Sequence, residues 1–253
     1  MPGHSMEYLT KAYRDKQLAR TLTALDKIVN RQPVASGRVI PAAEDIPIYD
    51  GRRLDATVMF LDISSFSQRP GWTSQEQEQL LRILSLFFTE MVRIVDDFGG
   101  EVEKNTGDGL MAYFVKGPQD TASVQARAVA AALTMFYAAD NFINPILVRS
   151  GIERVRFRIC MDHGPITVAK VGLPRGFNGI VAIGTTANIA SKMLASADPD
   201  SILIGEKVAQ GLPQSWRDQW VRFKTTDTGW FYRGTGASYS YWEYIGRWKE
   251  PLI

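Results

Sequence analysis

Two aspartates stand out for the chemistry their surroundings would allow. Asp62 ends the apolar run 56–62, ATVMFLD, which reads as a buried strand. A carboxylate kept charged at such a point is costly unless it has a partner. Asp108 lies between Gly107 and Gly109, a glycine-flanked tip that predicts a tight hairpin within residues 101–115. If the two strands are antiparallel neighbours, both carboxylates reach one edge of a sheet. Two hard oxygen ligands there suit magnesium or manganese together with substrate phosphates. Either aspartate alone would read first as a turn or cap residue.

The elements that must position them can be read in order. Thr73 or Ser74 caps a helix running to about Phe98, with Leu80, Leu84, Phe87, Met91 and Val95 on a broad apolar face. Gly99-Gly100 closes it. A second, alanine-rich helix is expected over about 120–139, strands over 155–161 and near 165–171, and a strand at 180–183 feeding a helix at 186–196. Aromatic-rich strands are expected to fill 216–245. This order predicts an α+β sandwich with helices on one sheet face. Ahead of it, Leu18, Leu22, Leu25, Ile28 and Val29 form an apolar helical stripe among charges, which needs either this domain or a second chain as its partner. Pro33, Pro41 and Pro47 then interrupt regular structure. The division is therefore a helix and linker over 1–52 and a single domain over 53–253.

Composition excludes several classes. The chain has 253 residues, 29 basic against 27 acidic side chains, 45% hydrophobic and 22% charged residues, which are ordinary values for a folded domain. A net charge of +2 lacks the basic excess of a nucleic-acid binder. One cysteine, Cys160, and two histidines, His4 and His163, leave no internal disulfide, no Cys-based zinc site and no histidine-rich metal centre. No run approaches the roughly 20 apolar residues of a membrane span. The N-terminal MPGHSMEYLTKAYRDKQ has no apolar signal core, so a cytoplasmic protein is expected. No glycine-rich run ends in Gly-Lys-Ser or Gly-Lys-Thr, so this is no P-loop enzyme. His163 reads as a structural hydrogen-bonder, Cys160 as packing, and the late aromatics, Trp216 to Trp242, as sheet cover.

Five blocks, in order, resemble the catalytic domain of class III nucleotide cyclases, the adenylate and guanylate cyclase family. They are Phe60-Leu61-Asp62-Ile63-Ser64-Ser65-Phe66, the run Gly99-Gly100 through Gly107-Asp108, and Arg158-Ile159-Cys160-Met161-Asp162-His163-Gly164-Pro165. Gly184-Thr185-Thr186-Ala187-Asn188 through Lys192 and Tyr232-Arg233-Gly234-Thr235-Gly236 complete the set. The resemblance implies a ferredoxin-like cyclase domain with an N-terminal helical extension. It implies that Asp62, Ile63 and Asp108 hold two divalent ions, Mn2+ or Mg2+, and that the amides of Ile63, Ser64, Ser65 and Phe66 cradle phosphate oxygens. Asn188 would orient the ribose, while Lys192, Arg233 and Arg158 would meet phosphates. In this family the metal carboxylates come from one domain and the asparagine, helix cation and base readers from another. A chain with one such domain implies a homodimer with shared active sites.

Two positions depart from the family. Lys192 stands where an arginine is usual, which keeps the charge and loses the planar fork. At the base-reading positions Lys104 matches the adenine pattern, but Val181 stands where an aspartate would accept from the adenine amino group. Uracil offers Lys104 an acceptor in O4 and has no amino group to satisfy; Thr106 and Tyr49 are candidates for its N3–H. The chain in this respect resembles the bacterial pyrimidine cyclases of Pycsar antiphage systems. That implies UTP first, then CTP or ATP, with GTP last, and a separate effector that senses the cyclic nucleotide. An adenylate cyclase and a degenerate nucleotide-sensing domain are the alternatives. Gly99 to Glu103 only partly mimics a diguanylate cyclase signature, because Val102 and Glu103 stand where acidic and aromatic residues belong.

Overall fold

The computed structural model describes residues 9–29, 51–105, 107–117, 120–172, 178–225 and 228–251. Tyr49 and Thr106 lie outside the described residues, and Lys104 is described by its backbone alone. Among the described residues eight strands form one sheet: β1 Gly51–Ile63, β2 Gly100–Asn105, β3 Gly109–Val115, β4 Phe157–Gly172, β5 Asn178–Ile183, β6 Ile202–Gly205, β7 Val221–Thr225 and β8 Tyr241–Tyr244. Their order is β2-β3-β1-β4-β6-β8-β7, with β5 paired to β4. Among these strands β4 and β6 pair in parallel and the other pairs are antiparallel. Seven α-helices accompany it among the described residues: α1 Lys11–Val29, α2 Ser74–Asp97, α3 Val124–Ala138, α4 Asn144–Arg149, α5 Thr185–Met193, α6 Glu206–Gly211 and α7 Gln214–Trp220. No helix among these residues is long and apolar enough to cross a membrane.

The strand period of two sorts side chains onto two faces. Met59, Leu61, Ile63, Ala112, Phe114, Phe157, Ile159 and Met161 join the larger core with α2 and α3. Ala56, Val58, Met111, Tyr113, Ile166 and Val168 point the other way and meet Ala187 and Ala190 of α5. Cys160 lies on that second face with Ile189 and Met193, buried so completely that its thiol pKa is pushed far up. Helices therefore cover both faces, which corrects the expected one-sided arrangement. The short α5 was easy to overlook as a cover because its small alanines let it sit close on the sheet.

Local chemistry explains the ends of α2. Thr73 Oγ1 accepts from Glu76 N at 3.2 Å while the Glu76 carboxylate accepts from Thr73 N at 2.8 Å, a complete capping box. At the other end Gly99 has φ 69°, and a Cβ on Gly100 would lie 2.5 Å from the Phe114 ring. The Gly-Gly pair is what lets α2 turn straight into the hairpin that carries Asp108.

Three expected elements change. Residues 157–172 are one strand rather than two, since β4 pairs with β1 without interruption from Phe157 to Ala169. Residues 214–220 are helix rather than strand, because Trp216 buries one turn after Pro213 against Tyr244 and Trp248. The second helix continues through a π turn, Ala139–Ile143, into α4, where the Asn144 side chain bonds both backbone groups of Val155.

Helix α1 packs on its own domain, but through an unexpected face. Leu9, Tyr13, Gln17 and Thr21 are buried, whereas Leu18 and Leu22 are 37% and 49% exposed. The reason is the opposing surface of α2, which presents Glu90 and Asp97. Arg20 forks onto Glu90 at 2.9 Å and bonds Asp97, and Tyr13 Oη donates to Asp97 at 2.9 Å. Burial pushes the Asp97 pKa up, but Arg20 and Tyr13 outweigh it and leave the carboxyl below its ordinary value.

Candidate active site

The two aspartates meet at one edge. The β1–β3 register sets Asp62 opposite Gly109, and Ile63 N donates to the Asp108 carbonyl at 2.9 Å. Across the other side of β1, Asp62 faces Arg158 of β4. Arg158 Nε and Nη2 both reach Asp62 Oδ2, at 3.0 and 2.8 Å, and Nη1 donates to the Ala197 carbonyl at 3.2 Å. Arg158, expected to meet phosphate, is thus a partner of a metal-candidate carboxylate in this chain. The partner also answers the cost of placing a carboxylate at the end of a buried strand.

A tight turn follows Asp62. Ser65 adopts φ 57°, a left-handed conformation uncommon outside glycine, and starts a 3-10 turn over Phe66–Gln68. Ile63 N is used by Asp108, and Ser64 N donates to the Arg156 carbonyl at 2.8 Å. Of the four amides expected to cradle phosphate, those of Ile63 and Ser64 are thus used within the protein. A cavity of about 580 Å³ opens beside the turn, lined by Ser64, Ser65, Gln68, Arg69, Arg154 and Arg156 among others. Among the described residues no cluster of three or more His, Cys, Asp or Glu forms a ready metal cage. Two carboxylates and backbone oxygen fit hard divalent ions whose remaining ligands are phosphate oxygens and water.

Asn188, Lys192 and Arg233 come together elsewhere. Asn188 and Lys192 sit one turn apart on the exposed side of α5, while Ala187, Ala190 and Met193 are buried beneath them. With Arg233 they line a cavity of about 680 Å³, whose walls include His163, Lys207 and Trp230. Lys192 Nζ lies 5.6 Å from the centre of the Trp230 ring, a cation–π distance. This cavity contains none of Asp62, Ile63 and Asp108, so one chain does not bring the two sets into one pocket.

Sequence reasoning missed the buried acid of this cavity. Asp162 is 5% exposed and accepts from Tyr239 Oη at 2.8 Å. Burial pushes its pKa up to about 6, against the opposing pull of Tyr239, the His163 amide and Lys207. The available signal was position: Asp162 follows Arg158 and Cys160 on the same side of an alternating strand. His163 Nδ1 lies 2.9 Å from Thr57 Oγ1, and burial lowers its pKa despite Asp55 nearby. Of the residues expected to read the base, Val181 is half-buried on β5 opposite Ala169, and β5 lies against β2, the strand of Lys104.

Comparison with known proteins identifies the family. The adenylate and guanylate cyclase catalytic domain matches residues 48–242. An adenylate cyclase of Anabaena cylindrica is 26% identical over 223 residues, covering 83% of this chain and 42% of that protein. A uridylate cyclase of Rhodovulum sp. (strain MB263) is 23% identical over 165 residues, covering 62% of this chain and 65% of that protein. The chain thus spans less than two thirds of either relative. The crystal structure of the guanylyl cyclase Cya2 superposes with a TM-score of 0.64 at 18% identity, over 79% of this chain and 95% of that one. With the family matched over most of the chain and the fold that of its solved structures, this protein belongs to the adenylate and guanylate cyclase catalytic domain family.

Proposed function

We propose that this domain converts a nucleoside triphosphate to a 3′,5′-cyclic nucleotide and pyrophosphate, with UTP preferred and cyclic UMP as product. The observation that carries the reading is the meeting of Asp62 and Asp108 at one strand edge. The residues of the chain divide the work. Asp62, Asp108 and the Ile63 backbone would hold two divalent ions, Mn2+ or Mg2+, which when bound activate the ribose 3′-hydroxyl and neutralise the triphosphate. Ser65 and Phe66 offer amides to phosphate oxygen at the turn. Asn188 orients the ribose, and Lys192 and Arg233 stabilise charge that grows on the leaving pyrophosphate. Arg158 exchanges its place on Asp62 for a phosphate oxygen when substrate arrives.

Because Asn188, Lys192 and Arg233 share a cavity that Asp62, Ile63 and Asp108 do not line, a homodimer with two shared sites is the assembly this reading requires. Lys104 would donate to uracil O4, and Val181 leaves an adenine amino group without an acceptor. Similarity to a uridylate cyclase supports UTP. Lys104 and the adenylate cyclase similarity favour cyclic AMP as the second reading. A cyclic nucleotide made in the cytoplasm would signal to a separate cyclic-nucleotide-sensing effector, in this reading as antiphage defence.

The test is to incubate the purified protein with each of the four nucleoside triphosphates and Mn2+, resolve products by chromatography, and repeat with Asp62→Ala. Cyclic UMP from the intact protein alone is the expected result. Cyclic AMP as main product would overturn the base assignment and keep the mechanism; no product from any nucleotide would leave the domain a nucleotide sensor.

A further inference from the structure

The segment from Thr228 to Tyr239 carries Arg233 at its turn and places Trp230 beneath Lys192, yet it is largely closed on itself. Tyr239 N donates to Trp230 O at 2.7 Å, Thr228 Oγ1 to Tyr239 O at 2.6 Å, and Tyr232 N to Ala237 O at 2.8 Å. A loop bonded mainly to itself pivots unless something fixes it to the sheet. Tyr239 supplies that link through its 2.8 Å hydrogen bond to Asp162 on β4, both residues being buried. Among the described residues a second hydrogen bond from the segment, Tyr232 Oη to Glu206, is longer at 3.4 Å, and Tyr239 also packs with Cys160, Ile189 and Leu203. The backbone leaves room for the pair: a Cβ on Gly205 of β6 would collide with both Tyr239 Oη and Asp162 Oδ1. Tyr239 in turn packs on Tyr232 and Trp230, with ring centres 5.4 and 6.2 Å away. Its position is therefore passed directly to the wall of the Asn188 cavity.

We propose that Asp162 and Tyr239 are positioning residues, whose buried hydrogen bond fixes the Thr228–Tyr239 segment on β4 and so sets where Arg233 and Lys192 meet the substrate's phosphates. The inference deepens, and rests on, the assignment of Arg233 and Lys192 as phosphate contacts. Neither Asp162 nor Tyr239 touches substrate in this role. Their leverage comes from geometry, since a displacement of about 1 Å at a phosphate contact can cost on the order of 100-fold in rate.

The experiment measures kcat and KM for cyclic nucleotide formation by the full chain as Tyr239→Phe, Arg233→Met and the double variant. Amide hydrogen exchange across residues 228–239 is followed in parallel. Tyr239→Phe keeps the packed ring and removes only the hydroxyl. The expected result is a kcat about 10-fold lower, faster exchange in the segment, and a double variant slowed by less than the product of the two single losses, since only the share acting through Lys192 remains. Gly205→Ala, which displaces the pair without removing either group, should reproduce the Tyr239→Phe pattern. Wild-type kcat and exchange in Tyr239→Phe, or losses that multiply in the double variant, would overturn the proposal. Wild-type turnover in Arg233→Met would instead overturn the phosphate assignment, while the exchange data would still report on the clamp.

Discussion

In the proposed base pocket, replacing Val181 with aspartate would supply the acceptor that an adenine amino group otherwise lacks. Val181 is half-buried on β5, which lies against β2, so a carboxylate there would be neither fully desolvated nor fully screened. An unsatisfied buried donor costs about 1–3 kcal/mol. Partial exposure places this position in the lower half of that range, about 1–2 kcal/mol, or roughly a 5- to 30-fold change in relative kcat/KM. The assay is competition between ATP and UTP in one tube with Mn2+, with cyclic AMP and cyclic UMP quantified in the same chromatogram. Val181→Asp should raise the cyclic AMP to cyclic UMP ratio by that factor, with the melting temperature within a few degrees of the parent. An unchanged ratio in a folded, active variant would show that β5 does not read the base. A ratio moving toward cyclic UMP would refute the donor–acceptor argument itself.

Three further outcomes concern stability. Arg20→Ala leaves Glu90 buried without its cation, which costs about 3–5 kcal/mol and should lower the melting temperature by about 6–20 °C. Adding Glu90→Gln should recover part of this, and a loss under about 1 kcal/mol from Arg20→Ala would show the network to be idle. Gln17 is fully buried with neither side-chain polar atom bonded among the described residues, so Gln17→Met should raise the melting temperature by a few degrees; a fall would mean the amide has a partner. Asp162 has its folded pKa raised to about 6 from an ordinary 3.8, so the native state holds the extra proton between those values. Its contribution to stability is greatest at low pH and declines as pH rises from about 4 to 6, by about 3 kcal/mol, then levels. Urea midpoints across pH 4–7 should therefore show Asp162→Asn gaining on the parent up to about pH 6, and a gain in the opposite direction would contradict the burial argument.

What could be read from the sequence was local chemistry. Thr73, Glu76 and Gly99-Gly100 state the limits of α2 in capping and left-handed geometry, and Gly107-Asp108-Gly109 states the hairpin, since each depends on near neighbours in the chain. In helix α1 the periodicity shows which face is apolar, not which face is buried. The acidic surface of α2 decided that, and it chose Tyr13, Gln17 and Arg20 over Leu18 and Leu22. Trp216 and its aromatic neighbours resembled strand composition until packing on Tyr244 and Trp248 made 214–220 a helix. At the candidate site, the carboxylates and α5 residues were visible as motifs. The Arg158–Asp62 fork and the Asp162–Tyr239 bond were not, since both arise from pairings 96 and 77 residues apart in the chain.

Strand β4 carries Arg158 against one residue set and Asp162 against the other, on the same face and about 13 Å apart at strand spacing. In a twofold assembly with shared sites, those two side chains of a single strand would serve opposite catalytic centres. Were that strand to move as a unit, a shift at one end would reach the other. Drawing Arg158 off Asp62 when one centre fills would then be felt at the Tyr239 anchor of the other, so the two centres would communicate through a rigid rod and their saturation curves need not be independent.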